Sequence, residues 1–582
     1  MDRRGGFLAL SPFLAVSVLI AAAFISGCGL ASGNSATKTT FSNGVGAVKT
    51  QQISFDGKAT LQAYLAAGEL SDLQYPDFTN FRTEANEFYE ASGDSLPWIA
   101  ERRPSAQAHG IIEELQQADN EGLNPVDYDG PRWAARLAVV DGGRAAEPEL
   151  VRFDLAVTIS TMRYISDLHR GRVNPREFHF DLDITNDKLD VSAFLLQKLV
   201  GAANVNEVMQ TVEPPFPAYR RTVEALRTYM KLASADNGEL LPAPAKPVKP
   251  GGSYASVAQL TRRLMLLGDL PPDTTAAAGA DYSGPLVNGV KRFQERHGLD
   301  ANGILDAHTL NELNTPLSQR VTQLKLTLER WRWLPHQFDE PPIVVNIPEF
   351  RVYAANDKYG SAFDMKVVVG RSYKHKTPVF ATQMKSVIFR PYWNVPLSIQ
   401  KNELLPELRK NANYLSQHDY QVVGPSEKVV SEGEVNEAIM AQLASGKMGI
   451  RQRPGPTNSL GLIKFDMPNG YDVYMHDTPA QQLFSRSRRD FSHGCIRVEN
   501  PVELALWVLR DKPEWDRDHI VEAMNGDETF RVNLSKPIPV LILYGTAIDT
   551  ESGEVHFFDD IYGLDSELQH RLAQGYPYNK GE

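Results

Sequence analysis

The chain has 582 residues and a formal net charge of −12, a length that suggests about three to five domains. An apolar share of 42% and a charged share of 23% exclude a disordered polymer. The acidic balance, with a pI near 5.6, argues against a nucleic-acid binder, which needs a basic surface, and two cysteines exclude a disulfide-rich scaffold.

Residues 1–30 begin with Arg3 and Arg4, continue as an apolar run from Phe7 to Phe24, and end in small residues. This is the layout of an export signal. An uncleaved membrane span is the alternative, because the run is long enough to cross. Ile25-Ser26-Gly27-Cys28 resembles a bacterial lipobox. That resemblance implies a signal peptide over 1–27, lipidation of Cys28 and a polar tether over 28–53. Residues 54–240 read as a helical scaffold. Within it Val151, Leu155, Ile159, Met162 and Ile165 repeat at helical spacing, and Gly171 is a plausible stop. His169, Arg170 and Arg172 at that end could hold an anion, although cations there also complement the helix dipole. The proline-rich segment 241–252 reads as a linker.

Residues 253–315 form a compact three-helix unit. Val257, Leu260 and Leu264 make one apolar face, Leu286, Val290 and Phe293 a second, and Asp306 can cap a third helix carrying Leu310 and Leu313. The stretch VKRFQERHGLDANGILDAHTL resembles the type 1 peptidoglycan-binding domain; a plain helical bundle is the alternative. From Pro341 the pattern changes to short β-rich runs, Ile343–Ile347, Phe350–Tyr353, Met365–Val369 and Ser386–Phe389, and later Leu462–Phe465, Asp472–Met475 and Val540–Tyr544. Such runs predict a β-sandwich over 316–545. A helical and loop-like insertion over about 397–448 interrupts it. A helix near Pro501–Leu509 completes it, and the tail 546–582 can add an edge strand at Val555–Phe558.

Chemistry concentrates in residues 471–500, where His476, His493 and Cys495 fall close together. With Cys28 lipidated, Cys495 is the one free thiol. Outside the cytoplasm an unpaired thiol is a liability unless buried or used. Gly494 allows an unusual backbone angle directly before the sulfur. The residues alone leave three readings: a nucleophilic cysteine activated by an imidazole, an inert buried thiol, or zinc held by His476, His493 and Cys495. The last lacks a clear fourth ligand.

Ser492-His493-Gly494-Cys495-Ile496-Arg497-Val498, preceded by His476, resembles the signature of the YkuD-type L,D-transpeptidases. The flanks Arg390-Pro391-Tyr392-Trp393-Asn394-Val395-Pro396 and Asn458-Ser459-Leu460-Gly461 resemble the large YcbB-like branch, which also joins a helical region, a wall-binding module and a catalytic insertion. Asp477 stands where many smaller members have glycine, which leaves the group that orients His476 undefined. The resemblance implies Cys495 as nucleophile and His476 as general base, then acid. Backbone N–H groups around His493, Gly494 and Cys495 would hold the oxyanion, with Ser492, Tyr474 and Arg497 at the same site. Trp393 and Tyr392 could form an aromatic wall or pack in the core. Arg497 could pair with a substrate carboxylate or clamp the loop, and Arg486, Arg488 and Arg489 could attract acidic stems or be solvated.

The implied reaction joins peptidoglycan stems by 3→3 cross-links with release of D-alanine, needs no cofactor and no metal, and is blocked by carbapenem-type acyl donors. The insertion would be a lid against water. Peptidoglycan stems and glycan are the expected partners, with a membrane reached through the lipid, no nucleic acid, and other cell-wall enzymes as candidates. The expected location is the periplasm, on the outer membrane because Gly29 follows Cys28. Alternatives are an L,D-carboxypeptidase, attachment of a lipoprotein to peptidoglycan, and a non-catalytic wall-binding scaffold.

Overall fold

A computed structural model describes residues 50–578 apart from positions 179, 185–187, 276–278 and 358. The export signal, Cys28 and the tether up to residue 49 lie outside the described residues. No helix among the described residues is long and apolar enough to cross a membrane.

The apolar stripe from Val151 to Ile165 lies in α1 (Glu147–Arg170), which Gly171 ends at φ 81°. The stripe predicts one buried face, but the helix is buried almost all round, Asp154 and Arg163 included. Helices Phe55–Ala67, Ala106–Gln116 and Trp133–Val140 pack around it. Its polar groups are therefore paired inside: Asp154 accepts from the Tyr89 hydroxyl at 2.7 Å and from the Trp98 N–H at 2.8 Å. The cations at its end hold protein groups. His169 sits 2.8 Å from the Val212 carbonyl, and Arg172 makes a buried 3.0 Å pair with Glu329.

That pair crosses between regions. Glu329 belongs to α6 (Leu317–Trp331), which packs along α2 (Pro217–Ala235) through Leu324, Leu328, Tyr219 and Leu226. The sequence places this helix at the start of the catalytic domain; in the structure it is shared packing between that domain and the helical region. Between them lie α3 (Val257–Leu266), α4 (Pro285–Arg296) and α5 (Ala307–Leu313), around a core that includes Val257, Leu260, Val290, Phe293 and Leu313. Asp306 caps α5 by accepting from the Thr309 N–H at 2.8 Å. The proline-rich segment lies against this module rather than standing clear of it. Leu241 and Val248 enter its core, and Val248 exchanges backbone hydrogen bonds with Leu305 at 3.1 and 2.9 Å.

The main sheet is built from β1 (Ile343–Asn346), β2 (Arg351–Ala355), β3 (Ser361–Gly370) and β4 (Phe380–Phe389). The insertion region contributes β5 (Trp393–Asn394), β6 (Tyr420–Val423), β7 (Val429–Ser431) and β8 (Gly449–Gln452) to a separate sheet. β9 (Ile463–Asp466), β10 (Met475–His476), β11 (Asp490–Ser492), β12 (Ile496–Val498) and β13 (Phe530–Leu543) complete the main one. Its order is β11-β3-β12-β10-β9-β4-β13-β1-β2, and β2 also pairs with β3. The two faces of the sandwich are thus joined through the long β3, whose first half pairs with β2 and whose second half pairs with β12. The enclosed core includes Val345, Val367, Phe389, Phe465, Met475, Ile496 and Val540.

Two expectations change. The insertion is more than helix and loop: β6, β7 and β8 join β5 in the order β7-β6-β8-β5, around an independent core of Ile399, Leu404, Leu415, Val422, Leu443 and Ile450. The last segment is neither a loose tail nor an edge of the main sheet. β14 (Ala547–Asp549) and β15 (Val555–Phe557) pair with each other, and β14 packs on α2 and α6. A helix over Leu564–Ala573 follows. Tyr578 then donates to Asp127 in the helical region, and the Tyr576 ring lies 5.0 Å from that of Tyr75. Buried apolar and aromatic residues in this segment, Phe557, Tyr562, Leu568 and Tyr578, give it reason to dock.

Candidate active site

β10 and β12 run parallel, with Met475 opposite Ile496 and His476 opposite Arg497. Met475 and Ile496 are fully buried in the core. Because side chains alternate along a strand, Tyr474, His476, Cys495 and Arg497 leave the opposite, outer face together. Lys464 joins them, since it is the partner of His476 on β9, and its Nζ sits 4.0 Å from the Tyr474 ring centroid. Because His476 is paired with Arg497 on the neighbouring strand, Cys495 lies two residues from its partner on the same face.

The Cys495 thiol is pushed up by burial, against the pull of Tyr474, Lys464 and Arg497. Tyr474 lies beside the sulfur and favours its thiolate, and Trp393 lies beside the Tyr474 phenol. Trp393 therefore stands at the site, while Tyr392 is exposed beside Arg451 at 4.4 Å. The thiol lies 3.7 Å from the Asp472 carbonyl.

His476 is 4% exposed. Burial, with Arg497 and Lys464 adding to it, lowers its pKa to about 3, so it is neutral at physiological pH. Its Nδ1 lies 2.5 Å from the Asp477 carbonyl. A neutral ring that donates there leaves Nε2 as the basic nitrogen. The orienting group is thus a backbone oxygen. The Asp477 carboxylate turns away, accepting from the Leu462 N–H at 2.9 Å.

Gly461 makes room for that carboxylate. It sits at φ 62°, and a Cβ there would collide with Asp477. Asn458 fixes the same turn, accepting from the Leu460 N–H at 2.7 Å and donating to Pro391 at 3.2 Å. The two flanking motifs are one joined support. We expect Gly461→Ala to cost about 1–3 kcal/mol from backbone strain alone, and to lower turnover by displacing the Asp477 carbonyl from His476. Unfolding in denaturant and acylation kinetics read the two effects. Wild-type values in both would contradict this role.

The Cys495 loop is held from behind. Gly494 sits at φ 116°, a conformation that favours glycine. Its N–H donates to Ser492 Oγ at 3.1 Å, and that hydroxyl donates to the Cys495 carbonyl at 2.6 Å. Ser492 is thus an internal clamp, 2% exposed, rather than a substrate contact. The Gly494 N–H is already engaged, which leaves those of His493 and Cys495 as candidate oxyanion donors. Thr377 Oγ1 donates to the Gly494 carbonyl at 2.8 Å and accepts from Gly370 N–H at 2.8 Å. Tyr562, in the C-terminal segment, donates to the Gly370 carbonyl at 2.6 Å and accepts from the Thr377 N–H at 3.2 Å. Sequence reasoning missed Lys464, Thr377 and Tyr562. Lys464 had one readable signal, as a residue within the expected strand Leu462–Phe465; the other two had none.

The remaining candidates separate. Arg497 Nε is buried without a protein hydrogen-bond partner and faces the site. His493 turns outward, with Nε2 2.7 Å from Glu403 Oε1 of the insertion. Arg489 is buried and donates to the Val367 and Phe350 carbonyls at 3.2 and 3.0 Å. Arg488 grips Asp490 at 2.8 and 3.0 Å, and Arg486 lies over the Phe491 ring at 5.3 Å. Arg489 is thus built into the loop, while Arg486 and Arg488 remain exposed on it. Among the described residues, His476, His493 and Cys495 do not make a metal-ligating group.

Three family models match the chain. Residues 341–529 match the "L,D-transpeptidase catalytic domain", residues 253–313 the "Putative peptidoglycan binding domain" and residues 83–226 the "Scaffold domain". The chain is also similar to a Haemophilus influenzae protein named "Putative L,D-transpeptidase", with 30% identity over 256 residues. That match covers 44% of this chain and 50% of the relative, so the chain spans about half the length of the curated relative it matches.

Proposed function

We propose that this chain, which carries an L,D-transpeptidase catalytic domain and a peptidoglycan-binding domain, forms 3→3 cross-links in peptidoglycan through an acyl-enzyme on Cys495. The single observation that supports this most is the shared outer face of β10 and β12, which carries Tyr474, His476, Cys495 and Arg497 together.

In the first half-reaction the sulfur attacks the carbonyl of the third, L-configured centre of a tetrapeptide stem. His476 Nε2 takes the thiol proton as the C–S bond forms. It returns a proton to the departing D-alanine nitrogen as the C–N bond breaks. In the second, the side-chain amine of a stem on another strand attacks the thioester and gives its proton to His476. The Cys495 thiol is regenerated. The N–H groups of His493 and Cys495 stabilise the oxyanion in both steps, a contribution of about 2.7–4 kcal/mol per donor in a protease. A neutral thiol beside a neutral imidazole means that the proton moves during attack, not beforehand. Arg497, with its unpaired Nε, suits a stem carboxylate. One amide is exchanged for another, so no nucleotide is required.

The work is placed in the cell envelope, where the polymer is. Lipidation at Cys28 and an outer-membrane location extend this reading. Carbapenem-type acyl donors provide its test. We expect one donor mass to add to the full-length chain and to map to Cys495 by peptide sequencing. Acylation at another residue, or none in a folded protein, would overturn the reading.

A further inference from the structure

Three side chains from separate segments meet beside the nucleophile's loop. His375 comes from the turn between β3 and β4, Glu403 from the first helical stretch of the insertion, and His493 from two positions before Cys495. One ligand atom from each lies within 4.8 Å of the others. Glu403 Oε1 and His493 Nε2 are 2.7 Å apart, and the two imidazole centroids are 4.7 Å apart.

The catalytic steps use none of the ring nitrogens or carboxylate oxygens in this group. Two imidazoles and a carboxylate are a borderline donor set, the kind that holds zinc with a fourth position open to water. Ligands of a tetrahedral zinc lie about 2.0–2.2 Å from the ion, so these atoms need only small side-chain rotations. Arg371 and Lys374 oppose a cation there, so coordination rather than net charge must supply the affinity. A second group, His308, Glu312 and Asp559, is weaker. Its Glu312 is already taken by Arg320 at 2.5 Å.

We propose that His375, Glu403 and His493 bind one divalent cation of the zinc class, which ties the insertion to the loop that carries Cys495. This goes beyond the expectation that the chain uses no metal. It requires no role for the ion in the reaction.

The test is titration of Zn2+ into the metal-stripped full-length chain in detergent, with Co2+ as a spectroscopic probe. We expect one ion per chain, and the strong visible absorption of four-coordinate cobalt. Binding should weaken at least tenfold in His375→Ala and in Glu403→Gln, two variants on different segments, and persist in Cys495→Ser. Saturating Zn2+ should also slow alkylation of Cys495 in the wild type but not in Glu403→Gln. Absence of uptake would overturn the proposal. So would equal uptake by both variants, or loss of uptake in Cys495→Ser, which would place the ion on the thiol.

Discussion

Cys495→Ala should abolish product formation and covalent labelling while leaving the fold nearly unchanged. The expected loss in turnover is about 10⁶-fold, the scale for removing a nucleophile that acts as a unit with its base. The fold should survive because the substitution removes little bonding: the sulfur's hydrogen bond to the Asp472 carbonyl is a long one, at 3.7 Å. The backbone around it is held by Ser492, Thr377 and Gly494, none of which the substitution touches. Retained labelling by an acyl donor would remove Cys495 from the mechanism. Loss of activity with loss of fold would instead make the thiol a packing residue.

His476→Ala should lower acylation by about 10²–10⁴-fold, the usual worth of a positioned general base. The pH dependence separates this role from packing. The wild-type imidazole has its pKa lowered to about 3, and the thiol is raised above its ordinary value of 9.0. Alkylation of Cys495 should therefore climb with pH into the alkaline range without an inflection near 6.5. An inflection there would mean that a titrating imidazole controls the thiol. Stability carries the opposite limb. The unfolded chain takes a proton on His476 near 6.5, and the folded chain only near 3. The folded state thus loses stability as pH falls through that window, with a slope of up to about 1.4 kcal/mol per unit. His476→Gln should flatten it.

The proposed pair of His476 and Cys495 is suggested by the sequence because the SHGCIR run is local and chemically specific, and because an unpaired thiol outside the cytoplasm asks for a use. The reason the two residues share a face was readable only in part. Alternation puts Tyr474 with His476 and Cys495 with Arg497, but the parallel pairing of β10 with β12 is a tertiary fact. Thr377 and Tyr562 had no local signal: they act on Gly494 and Gly370 from 117 and 192 positions away. Strand β6 was missed because all four of its residues are buried. A short run without alternation does not distinguish strand from helix. The C-terminal segment read as a tail because its aromatic residues follow no helix or strand period, yet Tyr562, Tyr576 and Tyr578 each find a distant partner.

The cross-linking reading is tested most directly by incubating the full-length chain with purified disaccharide-tetrapeptide and analysing the products by mass spectrometry. The account predicts dimers that have lost one D-alanine, with fragmentation placing the new bond between the third residues of the two stems. Tripeptide monomers alone would contradict it in favour of hydrolysis, and unchanged tetrapeptide with a folded, acylatable Cys495 would contradict this donor altogether.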